Sequence, residues 1–273
     1  MIRIVTDSSA DLSPAVATEH HIEVVPLTIR FGDEEFVDRR DLSAAAFWER
    51  MDRAVDLPTT AAPSIGAFQQ AFDTLEEEGA DGVVAICISE GLSATYRSAQ
   101  LAAAEVSVPV RVIDSGTASM PLGLTAIAAA DAARLGADLD DVAAAVAGAR
   151  PDLLATLDTL ENLKRGGRIG GAEAFFGGLL NVKPLITFTD GVVAAAGRVR
   201  TRRKALTALL DWLASQEHVT RLGIVHGNAP DIEEFAGLAA ERVSDVPVLV
   251  ELAGPVIGTH AGAGFVGLAV THT

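Results

Sequence analysis

Three short apolar runs stop in the same kind of residue. Ile2–Thr6 runs into Asp7, Ser8 and Ser9, Val83–Ser89 leads on to Ser93, and Val110–Asp114 is followed by Ser115. Between and after them stand stretches with helical spacing: Ser64–Glu78 behind Pro63, Thr95–Val106, Ala118–Leu135 and Leu139–Ala149. Strands separated by helix-length segments pair in parallel through crossovers, so this rhythm predicts a parallel sheet covered by helices. In open sheets of that kind ligands bind outside the carboxyl ends of the strands. Taken singly, Asp and Ser also end strands and cap helices. It is the convergence of three such ends that points to a binding rim.

The remaining first-half elements fit this plan. Ser13-Pro14 is a cap followed by a proline at the first helical position. Ile22–Phe31 reads as extended up to a turn at Gly32-Asp33, and Ser43–Arg53 as a helix. Beyond Pro151 the pattern changes. Leu180–Phe188 and Val192–Val199 flank Asp190-Gly191, a strong two-residue hairpin signal. Thr201–Ser215 and Ile232–Val243 read as helices, and Arg221–His226, Val246–Leu252 and Phe265–Val270 as strands. The expected architecture is α/β, with an N-terminal domain over 1–150 built on a mainly parallel sheet flanked by helices. A second, smaller mixed α/β domain is expected over 151–273. No low-complexity linker separates them, so they are expected to pack closely.

Composition removes several classes of function. With 21 basic and 37 acidic side chains the net charge is −16, which repels phosphate backbones and argues against nucleic-acid binding. The single Cys87 permits no internal disulfide framework, sits in an apolar strand pattern and fits a reducing compartment. The chain opens directly into a strand and holds no run of 18 apolar residues, so it is expected to be soluble and cytoplasmic. None of the six histidines forms H-E-x-x-H or a zinc spacing with cysteine, so no metal site is expected. No G-x-x-x-x-G-K-[ST] is present. The G-x-G-x-x-G at 262–267 has only six residues after it, too few for the helix and strand that fingerprint requires.

Ser93 carries three readings. As a helix cap it accepts from a backbone N–H. As a ligand hydroxyl it donates to a bound anion near a helix N-terminus. As a nucleophile it needs G-x-S-x-G, a base and an oxyanion hole. Gly91-Leu92-Ser93-Ala94-Thr95 lacks the last glycine, although Asp190 and His260 follow in hydrolase order. His260, beside Thr259 and the glycines, is equally a hydrogen-bonded structural histidine or a ligand group. Two basic groups stand against the acidic average, Lys164-Arg165-Gly166-Gly167-Arg168 and Arg198 to Lys204. Either a solvated helix face or a local field that steers an acidic or phosphorylated partner explains the second.

TDSSADL at 6–12, the TT-x-x-PS stretch at 59–64, LSATYRSA at 92–99 and VIDSGTAS at 112–119 together resemble the DegV family of bacterial fatty-acid-binding proteins. LDTLENLKRGGRI at 157–169, LLNVKPLI at 179–186, RVRTRRKA at 198–205 and GPVIGTHAGAG at 254–264 extend the resemblance over nearly the whole chain. The resemblance implies two α/β domains with one long-chain fatty acid held between them, and no cofactor or turnover of the protein's own. By motif, Thr60 and Ser93 would hydrogen-bond the carboxylate, His260 would supply an imidazole and Arg168 would neutralise the charge. Ser64, Thr95 and Ser115 lie in the same motifs and are further ligand candidates. The resemblance also implies a partner fatty acid kinase that phosphorylates the carboxylate, with Arg200 and Arg202 on the docking face, and transient delivery to a membrane acyltransferase. The chain departs from the family pattern at Ala61-Ala62, Ala94 and Ala263. A serine hydrolase using Ser93 and a carrier of another lipid-like ligand are the competing functions.

Overall fold

A computed structural model describes residues 1–149, 151–175, 182–243 and 245–272. The first half builds the expected parallel sheet. Its strands are β1 (Ile2–Asp7), β2 (Ile22–Val25), β6 (Gly82–Cys87) and β7 (Val110–Asp114), in the order β2-β1-β6-β7 with every pair parallel. Every residue of β6 is buried, which is why it reads as a continuous apolar run and not as an alternation. The stretch expected to be extended over 22–31 breaks at Pro26-Leu27. Its second part, β3 (Thr28–Phe31), pairs with β4 (Glu34–Val37) and β5 (Thr59–Ala61) in a separate antiparallel sheet ordered β4-β3-β5. Pro26 has no N–H to give to the parallel ladder, so the chain leaves it there.

The shorter second half carries the larger sheet. Six strands run in the order β10-β9-β8-β13-β11-β12: β8 (Asp152–Thr156), β9 (Lys183–Thr189), β10 (Val192–Val199), β11 (Val219–His226), β12 (Val248–Leu252) and β13 (Val266–His272). β8 begins next to the boundary expected at Pro151. The first residues of the strand expected from Leu180, and 179–181 of the LLNVKPLI stretch, lie outside the described residues. The β9–β10 hairpin turns at Asp190-Gly191 with φ of +50° and +75°, the left-handed pair that a type I′ turn needs.

Helices α3 (Ile65–Glu77) and α4 (Thr95–Ala103) cover the outer face of the parallel sheet, and α8 (Arg202–Ala214) and α9 (Ile232–Ala240) the outer face of the six-stranded one. Between the two sheets lies α5 (Met120–Arg134), followed by α6 (Leu139–Gly148). An α-helix apolar on all sides belongs in a protein interior, and α5 keeps eleven of its fifteen residues buried. One apolar cluster therefore runs from Ile4 and Ile86 through Met120 and Leu124 to Leu153, Ile186 and Val225. The shorter helices are α1 (Pro14–Glu19), α2 (Ala44–Met51), α7 (Glu161–Arg165) and α10 (Pro255–Ala261). The last is a helix to which the sequence pattern assigned no element. Pro255 at its first position starts it, and Gly262, at φ +78°, ends it.

Candidate anion-and-tail site

The polar strand ends serve mainly to brace the loops that follow them. Asp7 accepts from the N–H of Ile88 (2.8 Å) and from the N–H and hydroxyl of Ser9 (3.0 and 2.5 Å). Ser89 Oγ donates to the Gly191 carbonyl (2.6 Å), so the β9–β10 turn is tied to the loop after β6. Asp114 accepts from the N–H groups of Glu90 and Gly116, and Ser115 closes on Thr117 (3.2 Å). Ser115 is thus a turn residue and does not reach the cavity. Ser64 is exposed and caps α3, accepting from the Ala67 N–H (3.1 Å), and it too stands off the cavity wall.

Between the carboxyl ends of the parallel strands and the inner face of the six-stranded sheet lies a cavity of about 210 Å³. Its apolar wall comes from both halves, with Ile88 and Leu92 on one side, Ala155, Ile186 and Phe188 opposite, and Val256 from α10. Five polar side chains interrupt that wall: Thr60, Ser93, Ser119, Arg168 and His260. Four of these are sequence candidates, brought together from β5, the loop after β6, the loop after α7, and α10. Ser119 is the one that sequence reasoning passed over, although it closes the VIDSGTAS stretch.

Ser93 does not cap α4, whose first flanking residue is Ala94 with no side-chain cap. Its Oγ accepts from the Thr95 N–H (3.3 Å) and pairs with the Thr95 hydroxyl (2.8 Å). Thr95 is fully buried behind the wall and supports Ser93 without lining the cavity. If Thr95 donates in that pair, the Ser93 hydroxyl hydrogen remains to be given to a ligand.

His260 Nε2 lies 3.0 Å from Thr60 Oγ1, across 200 residues of sequence. Burial, with a smaller contribution from the positive charge of Arg168, pushes the imidazole down to about 4, so it is neutral at pH 7. Its Nδ1 is buried and has no partner. An under-satisfied acceptor is tolerated more readily than an orphaned N–H. We therefore assign the proton to Nε2, which donates to Thr60 and leaves the Thr60 hydroxyl hydrogen free for the cavity. Gly166 makes room for this ring: a Cβ there would stand 2.4 Å from Nδ1.

Arg168 donates from Nε to the Leu92 carbonyl (3.1 Å) and from Nη1 to that of Gly166 (2.6 Å). Among the described residues no carboxylate lies within ion-pair distance of it. The cavity therefore has one uncompensated positive charge, two hydroxyl donors and a neutral imidazole at one place, with apolar surface around them. This arrangement is complementary to an anionic oxygen group on an apolar body. Among the described residues no carboxylate orients His260, and the nitrogen facing Thr60 carries the proton, so it has no lone pair to serve as base. Asp190 is exposed at the hairpin tip.

The basic segment at 198–204 divides in two. Arg200 is exposed. Arg202, expected on a docking face, is half-buried and its donors are committed to bonds within the chain. Its Nε and Nη2 make a bidentate pair with Asp231 (both 2.6 Å), and Nη1 donates to the Gly264 carbonyl (2.6 Å) and reaches Asp158 (3.4 Å). The guanidinium joins the start of α8 to the loops before α9 and β13. The glycines at 262 and 264, both at φ +78°, lead into a strand, where a dinucleotide fingerprint requires a helix.

The same fold is found in known proteins. A DegV family protein from Thermus thermophilus, described for its fatty acid binding, superposes with a TM-score of 0.90 at 32% identity, covering 100% of this chain and 99% of the other. DegV from Bacillus subtilis, a fatty acid binding protein, superposes with a TM-score of 0.90 at 30% identity over 100% and 99% of the two chains. A DegV domain-containing protein of Streptomyces coelicolor is 37% identical over 279 residues, 99% of this chain and 98% of its own. The DegV family, whose description is of uncharacterised proteins, matches residues 1–273. The chain belongs to the DegV family.

Proposed function

We propose that this protein binds one long-chain fatty acid, its carboxylate against Arg168, Ser93, Thr60 and His260 and its acyl tail in the apolar cavity. The observation that carries the reading is the Arg168 guanidinium, which among the described residues meets no carboxylate, beside the Ser93 and Thr60 hydroxyls on a mainly apolar wall. The fatty-acid binding of the Thermus and Bacillus relatives supports it, as does that of a stearic-acid-binding protein from Eubacterium ventriosum with a TM-score of 0.90 at 25% identity. The tail supplies most of the affinity at about 0.8 kcal/mol per buried CH₂, and the head group sets the orientation. The protein then acts as a carrier without turnover of its own. It presents the carboxylate to a partner kinase, with Arg200 on the docking face, for acyl-phosphate formation and delivery to a membrane acyltransferase.

Competition between oleate and methyl oleate tests the site. The two share a tail, and the ester carries no charge for Arg168. The acid is expected to displace a bound fluorescent fatty acid and the ester to do so only at far higher concentration. Equal potency would transfer the protein to the class of carriers for other lipid-like ligands. Fluorophosphonate labelling that disappears in Ser93→Ala would establish the hydrolase instead. For the kinase step, acyl-phosphate trapped as hydroxamate should need carrier, kinase and ATP together. Its formation without the carrier would refute that role.

A further inference from the structure

Behind the cavity wall lies a buried group of acids, Asp7, Asp11 and Asp38, that does not line the cavity. Asp11 is 3% exposed and ends the 3₁₀ turn after β1. Its Oδ1 accepts from the N–H of Gly254 (2.8 Å), the residue that opens α10. Its Oδ2 accepts from Ser119 Oγ (2.5 Å) at the start of α5, and Ser119 lines the cavity. One carboxyl group thus ties the helix carrying His260 to a cavity-wall hydroxyl. The opposite end of α10 is held by Asn162, which donates to the Thr259 carbonyl (3.2 Å), and Trp48 holds the residue before Gly254 through the Ala253 carbonyl (2.9 Å).

The charges around Asp11 are unbalanced. β1 contributes Asp7, the connection between β4 and α2 contributes Asp38 and Arg39, and β12 contributes Glu251. α5 presents the Ser119 hydroxyl and no charge, and the one titratable side chain of α10, His260, is at its far end. Asp38 is 1% exposed, and neither of its oxygens makes a hydrogen bond of good geometry. Four carboxyl groups therefore share one guanidinium. Burial pushes Asp11 up to about 7, against the pull of its bonds from Ser119 and Gly254 and of Arg39, with Asp38 adding to the rise. Burial likewise raises Asp38 to about 6.

Taking the fatty-acid reading above as given, we infer that Asp11 is a positioning residue for that site, and that gaining a proton there loosens α10 and speeds release of the bound acid. The chemistry follows from the two donors. The Gly254 N–H cannot reverse, so the proton goes to Oδ2, which then donates to Ser119 Oγ. The Ser119 hydroxyl hydrogen must turn away from Asp11. The bond that holds Gly254 changes from charge-assisted to neutral, and such bonds differ about twofold in strength. Nothing is transferred to the ligand, and the proton comes from solvent.

The test is the dissociation rate of cis-parinaric acid, a fluorescent long-chain fatty acid, into acceptor vesicles between pH 6 and pH 8.5. His260 stays neutral throughout this range. The wild-type rate is expected to be about threefold or more higher at the acid end. Asp11→Asn, which mimics the protonated form, is expected to release at the acid-limb rate at every pH. Asp38→Asn should move the wild-type midpoint to lower pH by removing a like charge. A wild-type rate independent of pH, or an unchanged profile in Asp11→Asn, overturns the inference while parinaric acid still binds. No uptake of parinaric acid at any pH overturns the fatty-acid reading as well. Should Asp11→Asn fail to fold, Ser119→Ala decides: it removes a bond to the ionised form, so the midpoint should move to higher pH, and an unmoved midpoint refutes the coupling.

Discussion

Replacing Ser93 with alanine separates a ligand-holding serine from a nucleophile. The substitution removes one hydroxyl donor from the cavity wall and the acceptor of the Thr95 N–H (3.3 Å). A hydrogen bond to a charged group contributes about 1.5–3 kcal/mol, which is about 10- to 100-fold in Kd. A palmitoyl tail with about 14 methylenes contributes on the order of 11 kcal/mol at 0.8 kcal/mol each. Ser93→Ala is therefore expected to weaken binding by that factor and still to carry lipid when purified. Titration with cis-parinaric acid measures Kd, and a melting curve checks that the fold survives. An unchanged Kd would mean that Ser93 does not touch the carboxylate. Complete loss of lipid from a folded variant would refute the division of labour between tail and head group.

Other expectations follow from the same geometry. Gly166→Ala places a Cβ 2.4 Å from His260 Nδ1, so the ring must move and fatty-acid affinity should fall by about tenfold in the same titration. Arg200→Glu should leave stability and lipid binding unchanged while reducing acyl-phosphate yield with the kinase. Arg202→Ala should instead lower unfolding stability by about 1–2 kcal/mol, because it strands the half-buried Asp231, and equal stability of the two variants would contradict that assignment. Asp11 and Asp38 are raised by burial above their ordinary values, so their contribution to stability is full below about pH 4 and is lost as pH rises through about 6 for Asp38 and about 7 for Asp11, and burial raises Asp7 in the same direction. His260, lowered to about 4, acts in the opposite sense, losing its contribution as pH falls from about 6.5 toward 4. Urea unfolding should therefore show stability about 1 kcal/mol lower at pH 8 than at pH 6, the losses at Asp11 and Asp38 outweighing the gain at His260, and the part due to these two acids should be absent in Asp11→Asn/Asp38→Asn.

The parallel sheet was legible because its strands carry an apolar run followed by polar residues, a pattern that local physics sets. The hairpin at Asp190-Gly191 was legible because few residues other than glycine and its acidic or amide neighbours accept two successive positive φ angles. What escaped was long-range. The bond between Thr60 and His260 spans 200 residues, and nothing local announces it. α10 was hidden by its glycines: Gly258 looks like a breaker, yet the helix needs it because a Cβ would stand 2.4 Å from the Phe47 ring. The Arg198–Lys204 run looked uniform, and only the fold commits Arg202 to Asp231 and leaves Arg200 outside. Asp11 lay inside the quoted TDSSADL motif with no sign that its partners would be Ser119 and Gly254, 108 and 243 residues away.

The central claim is that the cavity holds a fatty acid by its carboxylate. Lipid extraction of the purified protein followed by mass spectrometry tests it most directly. The account predicts close to one long-chain fatty acid per chain, released on denaturation and regained after delipidation when oleate is supplied. A folded protein that yields no fatty acid, and takes up none after lipid supplementation, would contradict it.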